Sequence, residues 1–280
     1  MRVGFIGLGQ MGAPMAARLA GEGLAVYDAR AEAMAPLVKA GARAARSVAD
    51  VAAHADLVSV MVRDDEQVNE VGAEVLASAR PGTVLAIHST IRAKTAEDLA
   101  TRARRYEIEV VDAPVSGGFM GASAGSLAVM VGGTDEAFER CREPFGAWAG
   151  LVLHMGPVGA GTRTKLARNL LHFVAFTAAA EAQRLAEASG VSLRKLGRVV
   201  RHTDAVTGGA GSIMLRPTTA PMTPDDDLYG ILSHTRDLGE KDLALALELA
   251  DELGVDAPLA RIALGRFGAG LGLTEGDGDG

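Results

Sequence analysis

Short apolar runs punctuate the first half of the chain: Val3 to Ile6, Ala25 to Tyr27, Leu57 to Met61, Val84 to Ile87, Glu109 to Val111, Ala128 to Val131 and Val152 to His154. Each is bounded by Gly, Asp or Pro and separated from the next by an alanine-rich stretch of helical character. A run without polar alternation has no face to give to water, so the pattern predicts parallel strands covered on both sides, in a doubly wound α/β sheet. From Gly159 the pattern changes. Thr162 stands where it can cap a helix that meets no breaker until Ser189 and is stopped by Gly190. The middle of that helix, Leu170 to Ala180, is apolar on nearly every side, which predicts burial between domains or subunits. Leu193 to Arg201, Leu238 to Leu253 and Pro258 to Phe267 read as further helices, and Thr203 to Tyr229, rich in Gly and Pro, as the main irregular connection.

Composition narrows the class of partner. With 280 residues, 48% hydrophobic and 22% charged, the chain can build one large or two ordinary cores. A formal net charge of -7 with interspersed signs argues against nucleic acid and against an anionic membrane, both of which call for basic patches. Small molecules are the expected partners. Cys141 is the only cysteine, so neither an intramolecular disulfide nor a thiolate cluster can form, and it reads as a small helix residue. The six histidines are scattered without ligand spacing, so no metal site is expected. The first strand starts almost at once, with no signal or transit pattern before it, and no apolar run of about 18 residues occurs, so the cytoplasm is the expected location.

Three glycine-marked turns carry candidate chemistry. Gly7-Leu8-Gly9-Gln10-Met11-Gly12 directly follows a strand and opens a helix, and the next strand ends in Asp28. In that context the glycines allow a tight turn and close approach of backbone to a pyrophosphate at a helix N-terminus, while Asp28 accepts hydrogen bonds from ribose hydroxyls and repels a 2'-phosphate. NAD is therefore expected, with NADP possible through Arg30, which can pair with a phosphate or serve as a solvated loop residue. Met61, at the end of the third strand, is a further candidate cofactor contact. Ser89-Thr90 ends the fourth strand and can touch the nicotinamide side or cap the helix that follows. Asp112-Ala113-Pro114-Val115-Ser116-Gly117-Gly118 presents a hydroxyl and small-residue amides at the carboxyl end of the sheet, an arrangement that suits a substrate carboxylate.

The reactive pair comes later. Lys165 and Asn169 lie four apart at the start of the long helix and so share a face. A lysine that exchanges a proton, beside an amide that orients a hydroxyl, equips the chain to interconvert an alcohol and a carbonyl when a nicotinamide takes the hydride. These readings divide the chain into a dinucleotide-binding Rossmann domain at 1–158, a helical substrate and oligomerisation domain at 159–273, and a flexible tail at 274–280.

Gly4 to Gly9 with Met11-Gly12-Ala13-Pro14-Met15, then Ser89-Thr90, then Asp112 to Gly118, then Gly161 with Lys165 and Asn169, and last Lys241-Asp242-Leu243 occur in one order. In this the chain resembles the β-hydroxyacid dehydrogenase family, which includes 3-hydroxyisobutyrate dehydrogenase and tartronate semialdehyde reductase, over residues 1 to 270. The resemblance implies an N-terminal Rossmann domain, an all-helical C-terminal domain and a homodimer or homotetramer built partly through the helices. It also implies Lys165 as general acid/base, Asn169 as its partner, Ser116 with Gly117 and Gly118 as the carboxylate cradle, Thr90 as a cofactor contact, and Lys241 as a contact to cofactor or substrate.

The chain departs from the family pattern at Arg168, where an amide residue is common; the arginine adds a cation near the mouth of the site or points to solvent. His234 stands where the family commonly has phenylalanine at the substrate pocket, and His172 where decarboxylating relatives carry glutamate. The expected activity is hydride transfer between NAD and a small 3-hydroxy acid or its semialdehyde. The alternatives are an imine or keto reductase of the same fold, or a non-catalytic nucleotide-binding subunit.

Overall fold

Among the described residues nine strands form one sheet: β1 (Val3–Ile6), β2 (Leu24–Tyr27), β3 (Arg43–Ala44), β4 (Leu57–Val60), β5 (Val84–Ile87), β6 (Glu109–Asp112), β7 (Val115–Ser116), β8 (Leu127–Gly132) and β9 (Ala149–Gly156). The structure is a computed structural model that describes residues 1–21 and 23–273. The tail at 274–280, expected to be flexible, lies outside the described residues.

The strands run in the order β3-β2-β1-β4-β5-β6-β8-β7, with β9 on the far side of β8. From β3 through β6 every pairing is parallel, which is the Rossmann arrangement, and the order reverses at β1. The expectation of parallel strands fails at β8, which runs antiparallel to β6 and β7, while β9 is parallel to β8. Residues 117–126, which join β7 to β8, are fewer than the dozen or so that a parallel crossover needs, so the chain returns in the opposite sense.

Alternate residues of the central strands feed two cores. Phe5, Leu57, Val84, Ala86 and Val111 pack on one face with Met15, Phe145 and Trp148. Ile6, Val58, Val60, Leu85 and Ile87 pack on the other with Val51, Val75 and Leu99. Cover on both faces is what the unbroken apolar runs require. Cys141 sits fully buried in the first of these cores, and burial pushes its thiol up to about 12.

The chain forms two compact units, Met1–Asn169 and Leu170–Gly280, and the division falls inside the long helix Ala160–Ala188. In the second unit the helices are Leu193–Thr207, Tyr229–Glu252, Pro258–Leu264 and Phe267–Gly270, around small cores at Leu232 and at Leu247. Three of these bounds differ from expectation. The first two helices are longer because Thr203 and Thr207 at one end, and Ser233, His234 and Thr235 at the other, are weak helix formers that mask the continuation. The third breaks at Gly265, after Leu264. Buried Glu181 anchors that helix, its two oxygens accepting from the Leu259 and Ala260 amides at 2.9 and 3.0 Å. In the stretch Leu170 to Ala180, expected to be buried between domains or subunits, Leu170, Phe173 and Phe176 are 71%, 59% and 58% exposed in the single chain. No helix among the described residues is long and apolar enough to cross a membrane.

Candidate active site

At the carboxyl end of β1 two of the three glycines of the turn are required by space. Gly7 has φ +90° and a side chain there would strike the Met61 carbonyl, while one at Gly12 would strike the Gly7 carbonyl. At Gly9 nothing lies within 4 Å of where a side chain would project, so the turn is closed on itself and open outward. It forms one wall of a cleft of about 630 Å³, lined also by Gln10, Met11, Asp28, Arg30 and Met61. Leu8 differs: its side chain is buried in the core and its amide donates to Asp28 Oδ2 at 2.7 Å.

Asp28 Oδ1 accepts from the Arg30 amide at 2.9 Å and from Arg30 Nε at 3.3 Å. Burial works against its charge, but the hydrogen bonds from Arg30 and Leu8 outweigh that and hold the carboxyl below its ordinary value. It is therefore ionised at neutral pH, at the tip of β2 where an adenosine ribose would reach. The free space at Gly9 and the Asp28 carboxylate fit a dinucleotide.

Arg63, Gln67 and Glu70 line the same cleft and escape the motif reading. A signal for them exists in Asp64-Asp65-Glu66-Gln67, an N-cap pattern: the Asp64 side chain accepts from the Gln67 amide at 3.0 Å, and Gln67 Oε1 reaches back past the cap to accept from the Arg63 amide at 3.0 Å. Ser89 does not cap the helix after it. Its hydroxyl donates to the Val62 carbonyl at 2.7 Å and accepts from the Val62 amide at 3.0 Å, fastening the cleft loop to the end of β5. Thr90 follows in the same connection and is exposed.

Next to Ser89, His88 is 1% exposed among Phe5, Phe145 and Trp148. Its Nδ1 lies 2.8 Å from the Ala113 carbonyl, so Nδ1 carries the proton, and Nε2 accepts from the Ser59 hydroxyl at 3.1 Å. Burial lowers its pKa to about 4, against a smaller upward pull from Ala113. The ring thus joins β4 to the strand end from which the substrate loop departs.

In that loop Gly117 and Gly118 have φ of +130° and +63°, values that favour glycine. The Ser116 hydroxyl is buried without a hydrogen-bond partner among the described residues. An unused hydroxyl beside glycine amides is an acceptor-seeking arrangement, suited to a carboxylate oxygen.

The helix Ala160–Ala188 starts two residues before the expected cap, and the capping group comes from elsewhere. Asp112, at the end of β6, accepts from the Gly159 amide through Oδ1 and from the Thr162 amide through Oδ2, both at 2.6 Å. Thr162 supplies an amide and not a capping oxygen. Gly161 lets the helix meet the sheet, since a side chain there would collide with the Met130 and Asp112 carbonyls.

One turn on, Lys165 is 8% exposed and makes no hydrogen bond or ion pair among the described residues. Burial, and then the charge of Arg168, lower its pKa from the ordinary lysine value. Asn169 lies one turn further on the same face, and its Oδ1 accepts from Arg168 Nη1 at 3.3 Å. His234 and Lys241 belong to the second unit, both exposed and two turns apart on the helix Tyr229–Glu252, with Lys241 Nζ 2.9 Å from Asp242 Oδ1.

Residues 2–156 match the family described as the NAD binding domain of 6-phosphogluconate dehydrogenase. Residues 159–279 match that described as the NAD-binding domain of NADP-dependent 3-hydroxyisobutyrate dehydrogenase. The chain belongs to the β-hydroxyacid dehydrogenase family. An oxidoreductase from Mycobacterium avium superposes with a TM-score of 0.92 at 55% identity, covering 97% of this dehydrogenase and 98% of that chain. The 3-hydroxyisobutyrate dehydrogenase of Mycobacterium tuberculosis, solved with L-serine, gives 0.68 at 33% identity, over 96% and 94%. An NAD-dependent L-serine dehydrogenase from Pseudomonas aeruginosa is 37% identical over 95% of this chain and 91% of its own. The dehydrogenase is thus an NAD-dependent enzyme of hydroxy acids, with NADP as a possible second cofactor.

Proposed function

We propose that the chain oxidises a small 3-hydroxy acid to its semialdehyde, or runs the reverse reduction, with Lys165 as the general acid/base. The carrying observation is the buried, unpaired Lys165 on a helix docked through Asp112 to the strand end that opens into the Ser116 loop. When bound, the nicotinamide accepts or returns the hydride. Neutral Lys165 Nζ takes the hydroxyl proton as the carbonyl forms, Asn169 holds the hydroxyl oxygen, and the Ser116 hydroxyl with the Gly117 and Gly118 amides holds the carboxylate. The relatives named for 3-hydroxyisobutyrate and L-serine support this class, since both compounds carry a hydroxyl two bonds from the carbon that bears the carboxylate.

A second copy of the chain completes the assembly in this reading. The helix Leu193–Thr207 has no buried residue, although Val199 and Val206 are 60% and 74% exposed, and Phe173 and Phe176 are similarly uncovered. Apolar surface on this scale supports a homodimer or a homotetramer. The activity is tested by following NAD reduction against a panel of 3-hydroxy acids that includes 3-hydroxyisobutyrate and L-serine. We expect turnover with at least one of them; no turnover with any, at saturating NAD, would overturn the reading.

A further inference from the structure

Lys165, Arg168 and Asn169 fall at i, i+3 and i+4 of one helix, so the arginine flanks the other two. Guanidinium nitrogens only donate, so the Asn169 amide atom facing Arg168 at 3.3 Å is its oxygen. The amide NH2 is then turned the other way. We propose that Arg168 is a positioning residue for the pair: its guanidinium turns the Asn169 nitrogen toward the substrate oxygen, and its charge stands one turn from Lys165. This inference rests on the activity proposed above.

The orientation matters to the chemistry. As the hydroxyl proton passes to Lys165 Nζ, negative charge develops on the substrate oxygen, and an amide N–H stabilises it. The opposite orientation would set Oδ1 against that oxygen, where it would repel the developing charge or compete with the lysine for the proton. The charge acts in the same sense. Arg168 is exposed and makes no ion pair among the described residues, so only water screens its charge, which opposes the ammonium form of Lys165 after burial has already done so. Of the other titratable and charged groups at this end of the helix, Asp112 on β6 is engaged with the Gly159 and Thr162 amides, Arg163 is paired at 2.5 Å with Glu97 of the helix Ala93–Ala103, and His172 follows one turn beyond Arg168. Neither arginine position is interchangeable with the other, because Arg163 is neutralised and Arg168 is not.

The test uses the full chain and the variants Arg168→Met and Arg168→Lys. The first readout needs no activity: the pH dependence of reductive methylation at Lys165 by formaldehyde and cyanoborohydride, followed by mass spectrometry of the lysine peptide. The second is kcat and KM for the hydroxy acid and for NAD. In Arg168→Met we expect the methylation midpoint to rise by about half a unit to one unit. We also expect kcat to fall about five- to tenfold with KM for NAD unchanged, and Arg168→Lys to recover most of both. A midpoint unmoved in Arg168→Met overturns the inference, and so does an unmoved kcat in an active enzyme. If the unaltered protein oxidises no 3-hydroxy acid, the proposed activity falls, while the methylation midpoint still decides whether Arg168 acts on Lys165.

Discussion

Asp112 holds the amide of Thr162 from the end of a strand fifty positions earlier, its Oδ2 2.6 Å from that nitrogen while Oδ1 takes the Gly159 amide. A carboxylate buried at 0% exposure thereby anchors the helix that carries Lys165. Burial pushes this carboxyl up, outweighing the pull of the two amides. Asp112→Ala leaves two N–H groups without a partner and should cost about 2–4 kcal/mol of stability. Urea unfolding checks it, and a loss below about 1 kcal/mol would show that water replaces the anchor.

Lys165→Ala should lower kcat by about a hundredfold or more, with NAD affinity nearly unchanged. In the unaltered protein the oxidative rate should rise with pH, since the neutral amine is the working form. The plateau should come below the ordinary lysine value of 10.5, in keeping with the direction in which burial and Arg168 move this group. A pH–rate profile with product inhibition controlled measures both.

Asp28 predicts the cofactor preference. NAD should give the higher kcat/KM, and Asp28→Ser should narrow the gap by removing a charge that repels a 2'-phosphate and by freeing Arg30 to meet one. A preference for NADP in the unaltered protein would assign the choice to Arg30.

His88 makes stability depend on pH. Its pKa of about 4 in the folded chain lies below the unfolded value of 6.5, so the unfolded chain takes up the proton first. Its contribution is complete above pH 6.5 and is lost as the pH falls toward 4, by about 3 kcal/mol at most. Urea unfolding at pH 7, 5.5 and 4.5 should show this slope, and His88→Gln should flatten the part that is not due to carboxylates.

His234 addresses substrate choice. An imidazole there can hydrogen-bond a polar substituent, so we expect substrates with an added hydroxyl or charged group to exceed 3-hydroxyisobutyrate in kcat/KM, and His234→Phe to reverse the order. An unchanged ratio would place His234 outside the pocket.

The parts legible in sequence are those that leave a chemical mark over a few residues. Gly7 and Gly12 are demanded by backbone contacts that no other residue tolerates, Gly9 between them leaves open space, and Asp28 follows at the end of the next strand. β3 and β7 leave no mark because two residues carry no periodicity, and the reversal of β8 leaves none because strand direction is set by connection length and not by composition. Asp112 as the helix anchor, and Ser89 as a bracket on Val62, join positions far apart in the chain, where local reading assigns a cap to the nearest hydroxyl. Leu170 and Phe173 read as buried because an apolar side chain signals contact without naming which chain supplies it.

The lone thiol of Cys141 doubles as a clock. Reagents that label cysteine need both access and thiolate, and the folded first unit denies both: the sulfur is fully buried and ionises only near pH 12. Any labelling at neutral pH therefore passes through an opened form of the core around Phe145 and Trp148. With no second cysteine to share the signal, the labelling rate follows the opening of the nucleotide-binding unit alone, whatever the helical unit is doing at the time.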